Sequence, residues 1–89
     1  MKAIVSVISK DRIGIIADVC VLLRDMKVNV LDLSQTIMDD MFTMVTLVDT
    51  ATSDMTFDQI QENLTQEGEK LGLAIRIQRQ DIFDAMHRI

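Results

Sequence analysis

The sequence predicts an α+β domain, a ferredoxin-like two-layer sandwich in which a four-stranded antiparallel sheet carries two helices on one face. Three observations predict this class: four segments have the composition of strands, two repeat apolar residues at helical spacing, and their order is βαββαβ. Two β-α-β units that share a sheet through right-handed crossovers give this sandwich. The 89 residues suffice for one such domain. We assign residues 1–81 to the domain and residues 82–89 to a C-terminal tail.

The first half of the chain predicts a strand, a helix and a second strand. Residues 2–9, KAIVSVIS, are short and β-branched. A polar turn at residues 10–14 follows, and across residues 15–26 the apolar residues recur at i, i+3, i+4 and i+7, as in an amphipathic helix whose predicted stripe is Ile16, Val19, Cys20 and Leu23. Asp11 is the predicted cap of this helix. Residues 28–38, VNVLDLSQTIM, alternate in polarity, which is typical of a half-buried strand.

The second half predicts a hairpin, a helix and a closing strand. Two aspartates at residues 39–40 tolerate positive φ and connect the second strand to a third at residues 41–49. Thr56, followed three residues later by a glutamine, has the spacing of a capping box, and Gly72 is a typical helix stop. Residues 73–80, LAIRIQRQ, alternate again and close the sheet.

Two of the predicted strands are apolar on both faces. The opposing sets are Ala3, Val5 and Val7 against Ile4 and Ile8, and Phe42, Met44 and Val48 against Val45 and Leu47. A lone two-layer sandwich would leave one set exposed to water. We therefore expect a second copy of the chain to cover the face of the sheet that carries no helix, so that the chain forms a homo-oligomer.

Composition argues against several classes of partner. A net charge of −5 and an aromatic content of 3%, all phenylalanine, disfavour binding to nucleic acid or to anionic lipid. No stretch approaches the roughly 20 apolar residues of a membrane span, and the N-terminus lacks the pattern of a signal peptide. The single cysteine, Cys20, suits a reducing compartment and is expected to be a small buried residue of the first helix. We expect a cytoplasmic protein.

Residues for catalysis or metal binding are few. The chain has one histidine, His87, and neither a CxxC nor an HxxxH pattern, so we expect no enzyme activity, no metal and no cofactor. An acylphosphatase-like enzyme needs a phosphate-binding arginine and a water-orienting asparagine. Arg12 and Asn29 match these only loosely, because the glycine-rich phosphate loop is missing.

The turn in SKDRIGIIADV is the remaining candidate site. Gly14 lets the backbone approach a ligand without a Cβ in the way, and the helix start offers free N–H groups to an anion. Asn29 begins the second strand and is expected beside the turn. Such groups can hold the carboxylate and amine of a small zwitterion. The same residues also suit a tight turn without a ligand, so both interpretations stay open.

The stretch SKDRIGIIADVCVLLRDMKVNVLDLSQ resembles the ACT domain, whose first half has a strand, an Asp-Arg-Pro-Gly turn, an apolar helix and Asn-Ile or Asn-Val before the next strand. The ending IFDAMHRI resembles more narrowly a small family of stand-alone bacterial ACT-domain proteins. This resemblance implies a regulatory domain that binds an amino acid or similar small ligand at a subunit interface. Carried onto this sequence, it implies Asp11, Ile13, Gly14 and Ile15 as ligand-binding residues, with Asn29 beside them.

One position departs from the family pattern. Ile13 stands where the turn usually has proline, so the φ angle before the helix is not preset. The leading hypothesis is a regulatory domain that binds a small molecule between subunits. The alternative is a protein-interaction module without a ligand, which docks on a partner through its sheet face or its C-terminal tail.

Overall fold

The structure is a computed structural model that describes residues 1–81. Within them the elements are strand β1 (Lys2–Lys10), helix α1 (Ile15–Asp25), strands β2 (Asn29–Met38) and β3 (Met41–Asp49), helix α2 (Phe57–Leu71) and strand β4 (Ala74–Arg79). The strands form one sheet in the order β2-β3-β1-β4, in which neighbours are antiparallel. The predicted fold class is confirmed. The predicted tail, residues 82–89, lies outside the described residues.

One face of the sheet packs against both helices and holds the core. Alternate residues of the strands and every third or fourth residue of the helices point to this face. The members with almost no exposure are Val5, Val7, Met44 and Val48 from the strands and Val19, Leu23, Ile60 and Leu64 from the helices. This core fixes the direction of α1, and with it the position of the turn that precedes α1.

The start of α1 differs from the prediction. Its N-cap is Gly14, in the left-handed region at φ 90°, and not Asp11. The N–H of Asp11 instead donates to the carbonyl oxygen of Asp40 across 2.7 Å, which ties the turn to the β2–β3 hairpin. Since the helix begins directly after Gly14, its buried stripe includes Ile15, while the predicted stripe residue Ile16 is only half-buried.

Both predicted ends of α2 are confirmed. The Thr56 hydroxyl accepts from the Gln59 N–H at 3.2 Å, and the Gln59 side chain accepts from the Thr56 N–H at 2.9 Å, which completes a capping box. Gly72 ends the helix in the left-handed region at φ 74°. These contacts are local in sequence, which is why the pattern of residue types indicated them.

Strand β2 is mostly exposed, although its alternation predicted a half-buried strand. It lies at the edge of the sheet, and its register with β3 shifts between Val30 and Asp32. This bulge leaves Leu31 without a paired residue on β3 and 45% exposed. Beyond the bulge Leu33 and Ile37 share the helical face, where Leu33 is half-buried and Ile37 is 54% exposed. The exposed edge also leaves β2 without a neighbour on one side among residues 1–81.

Among residues 1–81 no helix covers the second face of the sheet, and its two central strands present apolar residues there, as the sequence predicts, together with Ser6 and Thr43. There Ile4 of β1 pairs with Leu47 of β3, Ser6 pairs with Val45 and Ile8 pairs with Thr43. Ile4 is only 8% exposed. Ile8 is 50% exposed and Val45 is 38% exposed. We call this surface the open face.

Candidate ligand site at the opening turn

Residues 11–14 form the opening turn, which leads from the end of β1 to the start of α1. The first backbone bond of the helix runs from the Asp18 N–H to the Gly14 carbonyl oxygen at 2.9 Å. The amides of Ile15, Ile16 and Ala17 precede it, and no acceptor for them lies within residues 1–81. Unpaired amides at the positive end of a helix dipole are the groups that bind carboxylates and other anions.

Arg12 holds this turn in place. Its Nη2 donates to a carboxylate oxygen of Asp18 at 3.0 Å and to the carbonyl oxygen of Leu71 at 3.2 Å, and its Nη1 donates to the Ile13 carbonyl oxygen at 3.1 Å. The guanidinium therefore joins the turn, the first turn of α1 and the C-terminal end of α2. The sequence interpretation gave Arg12 no part in this site, because two of its partners lie far along the chain or on the next element.

The four predicted site residues of the turn lie together. Asp11 is exposed, Gly14 caps the helix, and Ile15 is buried beneath them at 2% exposure. Ile13 is 99% exposed, so this apolar side chain stands free of its own domain. The structure thus gathers backbone donors, one carboxylate and one exposed apolar side chain at a single end of the sheet.

Asn29 does not join them. It pairs with Asp49, whose partner on β1 is Lys2, whereas the turn follows Lys10 at the other end of β1. Eight residues of strand separate the two ends, about 27 Å. The prediction that Asn29 lies beside the turn is therefore wrong within one chain. Helix α1 carries the chain back along the sheet, so β2 starts at the end where β1 starts.

Asn29 instead lines an open groove between the end of α1 and the start of β2. The groove has a volume of about 440 Å³ and also contains Cys20, Arg24, Lys27 and Thr52. Arg24 and Lys27 pair with carboxylates, at 3.1 Å with Asp25 and at 3.0 Å with Asp54. Cys20 was expected to be buried but is half-buried in this groove, because the buried stripe of α1 consists of Ile15, Val19 and Leu23.

Other kinds of site find little support in the described part of the chain. Within residues 1–81 no group of three or more histidine, cysteine, aspartate or glutamate side chains is arranged to hold a metal ion. No helix in the same range has both the length and the apolar character needed to cross a bilayer. His87, the one candidate base, lies outside the described residues.

The chain is similar to known proteins along almost its whole length. The sequence model of the ACT domain matches residues 2–78. A UPF0237 protein of Clostridium acetobutylicum is 49% identical over 89 residues, which is 100% of each chain. A solved structure of an ACT domain protein from Streptococcus pneumoniae superposes with a TM-score of 0.84 at 36% identity and covers 98% of each chain.

A more distant structure shares the fold alone. The regulatory subunit of aspartate kinase from Thermus thermophilus superposes with a TM-score of 0.66 at 19% identity, over 86% of this chain and 50% of that one. ACT domains are usually regulatory and bind small ligands, and no catalytic function is indicated by these relatives. With its fold, its opening turn and these matches taken together, the chain belongs to the ACT domain family.

Proposed function

We propose that this chain is a regulatory domain that senses an amino acid, or a similar small anion, at the opening turn. Membership of the ACT domain family supports a small ligand in general. The observation that carries the choice of site is that no side chain caps the start of α1. There, three backbone amides have no acceptor within residues 1–81 and the Arg12 guanidinium lies beside them.

Each residue of the turn has a distinct role in this proposal. The amides that follow Gly14 receive the ligand carboxylate, and the absence of a Cβ at Gly14 allows a close approach. Asp11 is exposed and takes the ligand ammonium by charge-assisted hydrogen bonds. Ile15 underlies the turn, and Arg12 keeps it rigid. Asn29 is left out of the site, because it lies at the far end of the sheet.

A second copy closes the site. Ile13 is 99% exposed, and Met38 and Met41 of the neighbouring hairpin are 74% and 44% exposed at the same end of the sheet. Exposed apolar side chains that cluster next to a polar site mark a surface that another protein covers. Ligand binding and self-association are then linked, so the ligand shifts the oligomer equilibrium, which is the basis of regulation. The half-buried free thiol of Cys20 suits the cytoplasm.

Isothermal titration calorimetry of the purified protein against each common amino acid tests the proposal. We expect one or a few to bind, and Asp11→Asn to weaken binding about tenfold or more because it removes the charge opposite the ammonium. Glu62→Gln is the matched control, since it removes one exposed carboxylate on α2 and should leave the affinity unchanged.

Two results would count against the proposal. Absence of heat for every amino acid at millimolar concentration would remove the amino-acid ligand and favour a protein-interaction module. Equal binding by wild type and Asp11→Asn would move the site elsewhere. The groove at Asn29 is then the next candidate, and Asn29→Ala reports on it directly.

A further inference from the structure

The open face has an apolar centre and charged flanks. Its centre, on the two middle strands β1 and β3, holds the apolar residues Ile4, Ile8, Val45 and Leu47 together with the small polar residues Ser6 and Thr43. On the outer strand β2, Asp32 lies directly beside Leu47 on this face. The other outer strand, β4, presents Ala74, Arg76 and Gln78, because its alternate residues Ile75 and Ile77 are buried in the core. One edge of the face is therefore acidic and the opposite edge is basic.

Neither flanking charge has an ionic partner in the described part of the chain. Asp32 accepts a single hydrogen bond, from the adjacent Leu33 N–H at 2.8 Å, and no ion pair joins it to any of residues 1–81. Arg76 is exposed and likewise makes no ion pair within that range. The two opposite charges therefore lie on the two edge strands of one face. When a second copy of this face is placed against the first with its edges exchanged, the acidic edge of each copy lies against the basic edge of the other.

Two symmetric ways of stacking this face on itself keep the strands of both sheets aligned. With the two-fold axis perpendicular to the strands, β4 lies over β4, and Arg76 meets only Ala74, Gln78 and another Arg76. With the axis parallel to the strands, β2 lies over β4, so Asp32 faces the strand that carries Arg76. Charge favours the second arrangement, in which β1 also lies over β3 and the apolar centres coincide.

We infer that two copies stack open face to open face about a two-fold axis parallel to the strands, and that Asp32 of each copy pairs with Arg76 of the other. Across the sheet Asp32 is in line with Gln78 of β4, and Arg76 lies two residues from Gln78. In the dimer Asp32 and Arg76 are therefore offset by about 7 Å along the strand direction, which an extended arginine side chain can span. Both opening turns then lie at the same end of the dimer. The inference concerns this interface alone and does not depend on the proposed ligand.

The area of the open face determines how stable the dimer is expected to be. Four strands that are about 4.8 Å apart and six to ten residues long give a face of roughly 19 by 28 Å, so stacking buries about 1,100 Å² in total. This is at the lower limit for a stable interface. A dimer that dissociates in the micromolar range is expected, with a contribution from the two symmetric charge pairs that weakens as salt is added.

Sedimentation equilibrium of the full chain, from about 1 to 500 μM, tests the inference. Asp32→Arg and Arg76→Asp should each weaken dimerisation about tenfold or more, because each places two like-charge contacts in the interface. The double variant Asp32→Arg/Arg76→Asp restores the pairs in the opposite sense and should return the dissociation constant to within about threefold of wild type. Val45→Glu should abolish the dimer, because it places a charge in the apolar centre.

Glu62→Arg on α2 is the matched control, since it changes the net charge as Asp32→Arg does but lies on the helical side of the domain. Far-ultraviolet circular dichroism and thermal melting check that every variant is folded. A wild type that stays monomeric up to 500 μM would overturn the inference. So would a dimer that survives Val45→Glu, or a double variant as weak as the single ones.

Discussion

Nη2 of Arg12 donates a hydrogen bond across 3.2 Å to the carbonyl oxygen of Leu71, 59 residues further along the chain. Leu71 ends α2, so its carbonyl is one of the last four of the helix and has no partner within it. The same nitrogen donates to Asp18 at 3.0 Å. One side chain thus fixes the opening turn against both helices.

We expect Arg12→Ala to lower the free energy of unfolding by about 1 kcal/mol, because it frees a helix-terminal carbonyl and a carboxylate that are both partly solvated. Urea denaturation measures this loss. Arg24→Ala is the control, since within residues 1–81 the Arg24 side chain pairs only with the adjacent, exposed Asp25, and its effect should be close to zero. Equal losses for the two variants would show that the contact with Leu71 contributes nothing.

Gly68 and Gly72 are required for different reasons. A Cβ at Gly68 would lie 2.9 Å from the Leu73 carbonyl oxygen and 3.0 Å from the Ile75 side chain. Alanine favours a helix over glycine by about 1 kcal/mol, but a clash with fixed backbone outweighs this gain. We expect Gly68→Ala to destabilise the domain by about 2 kcal/mol in chemical denaturation.

Gly72 is the control for Gly68, because no described atom lies within 4 Å of its Cβ position and only its φ of +74° is unfavourable. Gly72→Ala should cost about 1 kcal/mol, and Gly72→Asn less, since asparagine tolerates the left-handed region. Gly68→Asn should be at least as damaging as Gly68→Ala. A rescue by asparagine at position 68 would refute the steric explanation.

The contrast between Thr56 and Asn29 shows what the sequence can predict here. Thr56 and its capping partner are three residues apart, so their contact follows from local spacing. The location of Asn29 depends on strand direction and on the insertion of β3 between β1 and β2, which no local pattern encodes. The exposure of β2 and the reach of Arg12 to Leu71 depend in the same way on tertiary arrangement. Element order and core were therefore predictable, and the composition of the site only in part.

Thr46 places a hydroxyl in the core. It has 0% exposure between Val5 and Leu33 in the sheet, and its Oγ1 has no hydrogen-bond partner among the described residues. Burying an unpaired hydroxyl costs about 1–3 kcal/mol. Thr46→Val keeps the shape and should raise the free energy of unfolding by about 1 kcal/mol.

Thr43→Val on the opposite face of β3 is the control for Thr46→Val. Thr43 is only half-buried there, so its replacement should change stability by less than about 0.5 kcal/mol. Guanidinium denaturation of both variants and of the wild type measures the two changes in the free energy of unfolding. A loss of stability in Thr46→Val would mean that the hydroxyl has a partner in solution.

Asp49 links stability to pH. The Ala51 N–H donates to its Oδ1 at 2.9 Å and the N-terminal ammonium does so at 3.3 Å, and these bonds hold the pKa of Asp49 below its ordinary value of 3.8. Because the pKa is lower in the folded state, the stabilisation is complete above pH 3.8 and is lost as the pH falls through the folded-state pKa.

Asp49→Asn should therefore lower the melting temperature by a constant amount from pH 7 to about pH 5, and the difference from wild type should shrink as the pH falls through the folded-state pKa of Asp49. Differential scanning fluorimetry across this range measures it. Acetylation of the N-terminus removes the ammonium but keeps the Ala51 bond, so it should reproduce part of the loss. A difference that does not change with pH would show that the carboxylate charge is not what the two donors stabilise.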